Sequence, residues 1–376
     1  MIGLPKLNRL ITNNLLLVLF LIGLTACNSQ HKPSLWLTQA EIDALPTEGE
    51  SYEHVVNIAN LVPLDTVSNA EGLLYRPSLT PNISHQDNDH NNQTYAAALL
   101  CARGVDQKYC DQAEKGLKDA IGTEEGGRSL ALSRNLLAYV LAADIIGYRD
   151  PEFMNWLDEV RYKELQGRSL ISTHDDRPNN WGTHAGASRL AASAYIGDTE
   201  DVEAAIQVFR GWLGDRKAYA AFRFGSTENN LNWQADPRSP VGINPAGATK
   251  DGHNIDGVFP EEMRRCGDGS FRWPPCKTGY TWEALQGTMM QAELINRMGY
   301  PAWDWESKAI LRAVTWLHET TFDDGGHDLP LGDDRWQPWL VNYAYGTDFP
   351  AERATEPGKN MGFTDWTHGD RTRQKD

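Results

Sequence analysis

Residues able to hold a negative charge or move a proton gather in four short stretches of this 376-residue chain. The first runs Arg177-Pro178-Asn179-Asn180-Trp181-Gly182-Thr183-His184 and opens an alanine-rich segment; Asn180 and His184 are four apart and share a face if the helix has begun by then. The second, Asp251 to Arg265, sets His253, Arg264 and Arg265 beside several acids. In the third, Tyr280 precedes a long amphipathic run. The fourth, Trp336 to Gly346, gathers Trp339, Asn342 and Tyr343, an aromatic and amide cluster suited to a packed core or to a wall that stacks sugars. Amide, imidazole and guanidinium groups are donors for an anion, and a phenol can pass a proton. Taken singly, each has an ordinary explanation: Asn180 as a helix cap, His184 as an interior imidazole, the paired arginines as surface ion pairs, Tyr280 as packing.

Apolar periodicity supplies the elements that would position them. Three- and four-residue spacing predicts helices near 94–120, 128–147, 151–165, 182–196, 200–214, 281–298 and 303–319, and strand-like alternation is scarce. The run 128–147, which carries Arg134 and Asn135, is apolar nearly all round, as a helix buried between layers would be. Gly147, Gly197 and Gly299 follow such runs where a left-handed cap favours glycine. Helices paired through short turns, without a strict repeat period, predict an all-α chain folded as an α/α toroid rather than a regular solenoid. A long irregular insertion around 217–275 interrupts it, and an insertion of that length is usually functional.

The first 26 residues read as a secretory signal: Lys6 and Arg9 precede an apolar run from Leu15 to Leu24. It ends in Leu24-Thr25-Ala26-Cys27, which resembles the lipobox of bacterial lipoproteins and predicts a lipidated Cys27, a tether over 27–36 and a single domain over 37–376. The protein is then an exported bacterial lipoprotein, periplasmic or outer-membrane anchored, that touches the membrane only through its lipid. The remaining cysteines, Cys101, Cys110, Cys266 and Cys276, are even in number and read as two disulfides, the local pairing being the simplest of three. No CxxC or HExxH motif proposes a metal, and the run His85-Gln-Asp-Asn-Asp-His90 reads as a solvated loop. Basic residues number 35 against 51 acidic, a net charge of −16. Loss of Lys6 and Arg9 with the leader takes this to −18, which argues against nucleic acid as a partner. Aromatic residues favour rings with a polar handle, 13 Trp and 13 Tyr against 10 Phe.

Asn179-Asn180-Trp181 opening an alanine-rich helix, then Asp256-Gly257-x-x-Pro260-x-Glu262-x-x-Arg265, then a tyrosine opening the next long helix, resembles the alginate lyase superfamily of polysaccharide lyases over roughly 128–345. The resemblance implies an α/α toroid that cleaves a uronate polysaccharide by β-elimination without a cofactor. It makes Asn180 the residue that neutralises the substrate carboxylate, Arg265 its cationic partner and Tyr280 the catalytic tyrosine. The family usually has Asn-His where this chain has Asn180-Trp181, so the histidine role falls to His184 or His253. The segment between Arg265 and Tyr280, with Cys266, Trp273 and Cys276, is longer than in the classical alginate enzymes and points to a divergent subfamily nearer the glucuronan-type lyases. Arg134, Asn135, Arg177, Trp181, His253, Arg264, Trp339, Asn342 and Tyr343 are the expected substrate contacts.

In such a reaction the uronate carboxylate must be neutralised before C5 can lose its proton, a task for Asn180, His184 and Arg265. Tyr280, a phenol, serves as base and acid. Two other readings stand beside this one. A glycoside hydrolase on the same scaffold would use a carboxylic acid, with Asp144, Asp256 and Glu283 as candidates. A non-catalytic surface lipoprotein would bind glycan without cutting it.

Overall fold

The computed structural model describes residues 34–62, 79–85, 89–225, 231–353 and 362–369. The leader, Cys27 and the tether as far as residue 33 lie outside the described residues. Residues 34–36, expected to belong to a tether, are packed on the fold: Ser34 Oγ and Leu35 N donate to Asp144 Oδ2 at 2.8 and 2.7 Å, and Trp36 is fully buried.

Helices dominate, and the one sheet among the described residues is a two-stranded hairpin, β1 (Thr249–Lys250) with β2 (His253–Asn254). In chain order the helices are α1 (Gln39–Asp43), α2 (Glu50–Ala59), α3 (His90–Ala102), α4 (Gln107–Ala120), α5 (Ser129–Ile145), α6 (Pro151–Val160), α7 (Leu170–Asp176), α8 (Asn180–Ile196), α9 (Thr199–Leu213), α10 (Pro260–Met263), α11 (Tyr280–Arg297), α12 (Trp305–Glu319), α13 (Gln337–Tyr345) and α14 (Thr364–Thr367). The apolar run 94–120 is thus two helices, α3 and α4, parted at Gly104, whose φ of +75° breaks the helix. Periodicity also overlooked α1, α2, α7, α10, α13 and α14, none longer than ten residues. Gly197 caps α8 in the left-handed conformation, and Gly147 and Gly299 take positive φ just past α5 and α11, as expected.

Burial sorts the helices into two kinds. On α4 the buried residues are Tyr109, Ala113, Gly116, Leu117 and Ala120, one stripe at helical spacing on a helix otherwise facing water. On α5 and α8 nearly every residue is buried. Because α8 carries alanine, glycine and serine where α5 carries leucine, it can sit between two neighbours, and it packs against both α5 and α11. Gly287 sets that second approach: a Cβ there would stand 2.3 Å from the carbonyl carbon of Thr183. The two ends of the described chain meet, with Trp366 Nε1 donating to the Pro46 carbonyl and the Trp36 ring 5.0 Å from that of His368.

The stretch 217–275 is largely irregular, as expected, and holds only the hairpin and the four-residue α10 among its described residues. Cys101 and Cys110 are disulfide-bonded. Cys266 and Cys276 face each other with Cα atoms 6.0 Å apart, a separation a disulfide spans.

Candidate functional site

Polar side chains from the starts of α8 and α11 meet those of α10, with Arg134 of α5 close by. The start of α8 shows how the sequence achieves this. The first amides of a helix have no partner within it. Asn179, not Asn180, is the N-cap, its side chain accepting from Trp181 N at 3.2 Å. Asn180 is therefore the first helical residue, and its backbone N–H donates to Glu262 Oε1 at 2.6 Å, a carboxylate placed where the helix dipole favours one. The Asn180 side-chain amide donates to the same carboxylate, 3.2 Å from Oε1 and 3.4 Å from Oε2. Gly182 allows the preceding loop to fold back, since a Cβ there would lie 1.9 Å from the Arg177 carbonyl oxygen.

Glu262 reaches this position because Pro260 starts α10, leaving Glu261 and Glu262 each three residues before an arginine. Arg264 Nε pairs with Glu261 Oε2 at 2.8 Å, and Arg265 Nε with Glu262 Oε2 at 3.0 Å. Arg265 also lies over the Tyr280 ring, 4.4 Å from Cζ to the ring centre. Tyr280 is the first residue of α11, follows the left-handed Gly279 and is 43% exposed. Asn180, Glu262, Arg265 and Tyr280 thus form one connected chain from a buried helix end to solvent. Burial pushes the Glu262 carboxyl up to about 7, against the opposing pull of Arg265 and the Asn180 donors. Burial likewise raises Glu261 and lowers the Arg177 guanidinium, the latter helped by the like charge of Arg168.

A second set lies one turn along. His184 shares a face of α8 with Asn180, and Glu283 shares a face of α11 with Tyr280. Glu283 Oε2 is 2.7 Å from Arg134 Nη2, on α5, and 3.3 Å from His184 Nε2. The imidazole is fully buried, whereas the Glu283 side chain keeps 14% of its surface. What this set shows to solvent is therefore the carboxylate and the Arg134 edge, with the histidine behind them.

The remaining expected contacts divide. Arg177 sits over the Trp181 ring at 5.2 Å, beside the cluster. Asn135 is engaged in holding a loop, donating to the Ile83 and His85 carbonyls at 2.9 and 2.8 Å. His253, on β2, stacks on Trp273 at 4.5 Å. Trp273 lines a cavity of about 590 Å³ with Asp256, Arg312 and Trp316, and none of the cluster residues lines it. Trp339, Asn342 and Tyr343 line another, of about 520 Å³, again without any cluster residue. Asn342 is spent on local structure there, donating to the Phe349 carbonyl and accepting from Phe349 N and Thr347. Of the run His85–His90, residues 86–88 lie outside the described residues; His90 begins α3, with Nδ1 2.7 Å from the Tyr139 hydroxyl.

The residue that sequence reasoning passed over is Glu262. It stood in the quoted motif as a spacer for Arg265. Its distance of three from that arginine was the available signal, but the partner 82 residues away on α8 was not legible.

Searches against protein-family models and against curated proteins find no match to this chain.

Proposed function

We propose that the protein is a polysaccharide lyase that cleaves a uronate-containing polymer by β-elimination, on an α/α toroid akin to that of the alginate lyase superfamily. The observation that carries this reading is the contact of Arg265 with both Glu262, which holds Asn180, and the exposed ring of Tyr280. Three residues nominated from separate stretches of sequence meet in one place, in the roles a carboxylate-neutralising lyase needs. The toroid is supported by the packing of α3 on α5, α5 on α8 and α8 on α11, helices that are not consecutive in the chain, with α4 and α9 against α3 and α8. Such a pattern fits an inner layer of like-directed helices whose first turns gather at one end.

In this mechanism the uronate carboxylate docks against the Asn180 amide and the Arg265 guanidinium. An amide nitrogen has two hydrogens, so one held by Glu262 leaves a second for substrate. Tyr280 takes the C5 proton and a proton returns to the C4 oxygen as the C4–O bond breaks, forming the C4=C5 double bond. Arg134 and Glu283, with His184 behind them, form the adjoining wall. An acidic protein handles an acidic polymer here because Arg177, Arg264 and Arg265 collect around α10 and the start of α8. Export as a lipoprotein anchored through Cys27 would place the enzyme where such polymers are met.

Incubating the full chain with glucuronan, alginate and other uronate polymers, and following ultraviolet absorbance, tests the reading. A conjugated C4=C5 product is expected, and Tyr280→Phe should lower its rate by about 10²–10⁴. Shortened chains without that absorbance would mean hydrolysis. Of the acids weighed for that chemistry, Asp144 secures Ser34 and Leu35 and Asp256 pairs with Arg312, so only Glu283 lies in the cluster. Binding without scission would leave a glycan-binding protein.

A further inference from the structure

We infer that Glu262 is a positioning residue of this site: its carboxylate fixes Asn180 and Arg265 in a single constellation, so that its charge state governs how both are presented to an anionic substrate. The inference rests on the lyase reading for its catalytic consequence but on geometry for the positioning itself. Glu262 is 1% exposed. Its two oxygens accept from the Asn180 backbone N–H and side-chain amide and pair with the Arg265 guanidinium. The groups bearing on it are therefore Asn180 from α8, Arg265 just past α10, and Glu261 from α10 itself. Arg264 is turned to Glu261.

The physical argument is one of substitution. An ionised carboxylate accepts on every lone pair and matches a guanidinium. A protonated one offers a donor where Arg265 and Asn180 already present donors, and the ion pair loses its charge. Glu262 has one cationic partner and is sealed from water, and burial accordingly brings its titration up to about 7. Below that pH Arg265 is released from its partner while Asn180 loses its strongest acceptor. Above it both are held. Such a residue touches no substrate and acts through Asn180 and Arg265, whose hold on the carboxylate matters most as charge builds on it in the transition state, so its effect falls mainly on the rate of the chemical step.

Two measurements on the full chain separate this inference from the lyase reading. The first uses selective 15N labelling of asparagine. The Asn180 side-chain amide, assigned by its absence in Asn180→Asp, should shift between pH 5.5 and 8.5 with a midpoint near 7. In Glu262→Gln that shift should vanish. A shift that persists in Glu262→Gln, or none in the wild type, overturns the inference whatever the protein's activity. The second measures rates on the uronate polymer that the wild type cleaves. The acid limb of kcat, with its midpoint near pH 7, should be absent in Glu262→Gln, whose plateau should fall by about 10² with KM changed less than threefold. Glu262→Asp keeps the charge and should recover at least tenfold of the loss. Wild-type kcat and an unchanged limb in Glu262→Gln would overturn the inference while leaving the lyase intact. If Glu262→Gln does not fold, Glu262→Asp carries both arms: its amide and rate midpoints should move together, and independent movement overturns the proposal. No new double bond on any uronate polymer would overturn the lyase reading alone, leaving the amide titration to decide the positioning.

Discussion

Two buried carboxylates in this protein have opposite fates. Asp201, in the first turn of α9, accepts from Arg189 at 2.6 Å, from Arg161 at 2.9 Å and from Ser193. Burial alone would raise its carboxyl, but Arg189, Ser193 and Arg161 outweigh burial and hold it below the ordinary carboxylate range. Glu262 is more deeply buried, 1% exposed against 9% for Asp201, and has one arginine instead of two, and there burial wins. The Asp201 network is built of ion pairs throughout: Arg161 is fully buried and spreads over Asp158, Asp198 and Asp201, and the network reaches solvent at the carboxylates of Asp158 and Asp198. The Glu262 network is open at one end, where Arg265 keeps a quarter of its side-chain surface and Tyr280 stands in solvent. A network in which two arginines share the buried carboxylate fixes helices; one short of a cation, and ending at an exposed phenol, retains groups for a ligand. This difference, rather than the number of charges, sets the candidate site apart from the Asp201 network.

The sharpest way to break the comparison is to remove one arginine from each side. Arg161→Ala removes a fully buried guanidinium from three carboxylates, leaving Asp201 with Arg189 alone, and should destabilise the fold by about 3–5 kcal/mol in denaturant unfolding. Activity of the protein that remains folded should be near wild type. Arg265→Ala should do the reverse, lowering kcat/KM by about 10²–10³, equivalent to about 2.7–4 kcal/mol. Its cost in stability should be the smaller of the two, because Glu262, left without a cation, can take up a proton instead of remaining a bare buried charge. Equal losses of stability in the two variants would erase the distinction between the two networks. Arg264→Ala sharpens it further: Arg264 meets Glu261 and not Tyr280, so a change in rate of about fivefold or less is expected.

How much of this was legible beforehand follows from the range of each interaction. Helices α5, α8, α9, α11 and α12 announce themselves through local periodicity, and the start of α8, though not which asparagine caps it, is written in consecutive residues. The irregularity of 217–275 was equally plain. The pairing of Glu262 with Asn180 was not, because it depends on α10 being delivered to the end of α8 by a stretch with no periodicity to follow. His184 shows the same limit: spacing placed it on the face of Asn180, and only the packing of α8 between α5 and α11 shows that Glu283 stands in front of it. The Trp339, Asn342 and Tyr343 cluster has the composition of a sugar-binding wall, yet Asn342 is occupied in shaping its own loop. Composition names what side chains are able to do, and hydrogen-bond partners determine what is left for them to do.

A third carboxylate extends the comparison at the smallest scale. Asp328 is buried behind the start of α11, accepting from Thr281 Oγ1 at 3.2 Å, and burial raises it to about 6 against the weaker pull of Thr281 and Lys277. It has no contact with Tyr280 or Arg265 that would tie it to chemistry, so its titration should appear in stability alone. A folded-state value raised above the unfolded one means that the native protein binds the extra proton. The resulting stability is complete below about pH 4 and is lost as pH rises through about 6. Asp328→Asn is uncharged at every pH and still accepts from Thr281, so the fall in melting temperature over that window should flatten by a few degrees while the pH profile of kcat stays unchanged. An altered kcat profile in Asp328→Asn would mean that this carboxylate belongs with Glu262 in the open network, and that the site extends further along α11 than its exposed first turn.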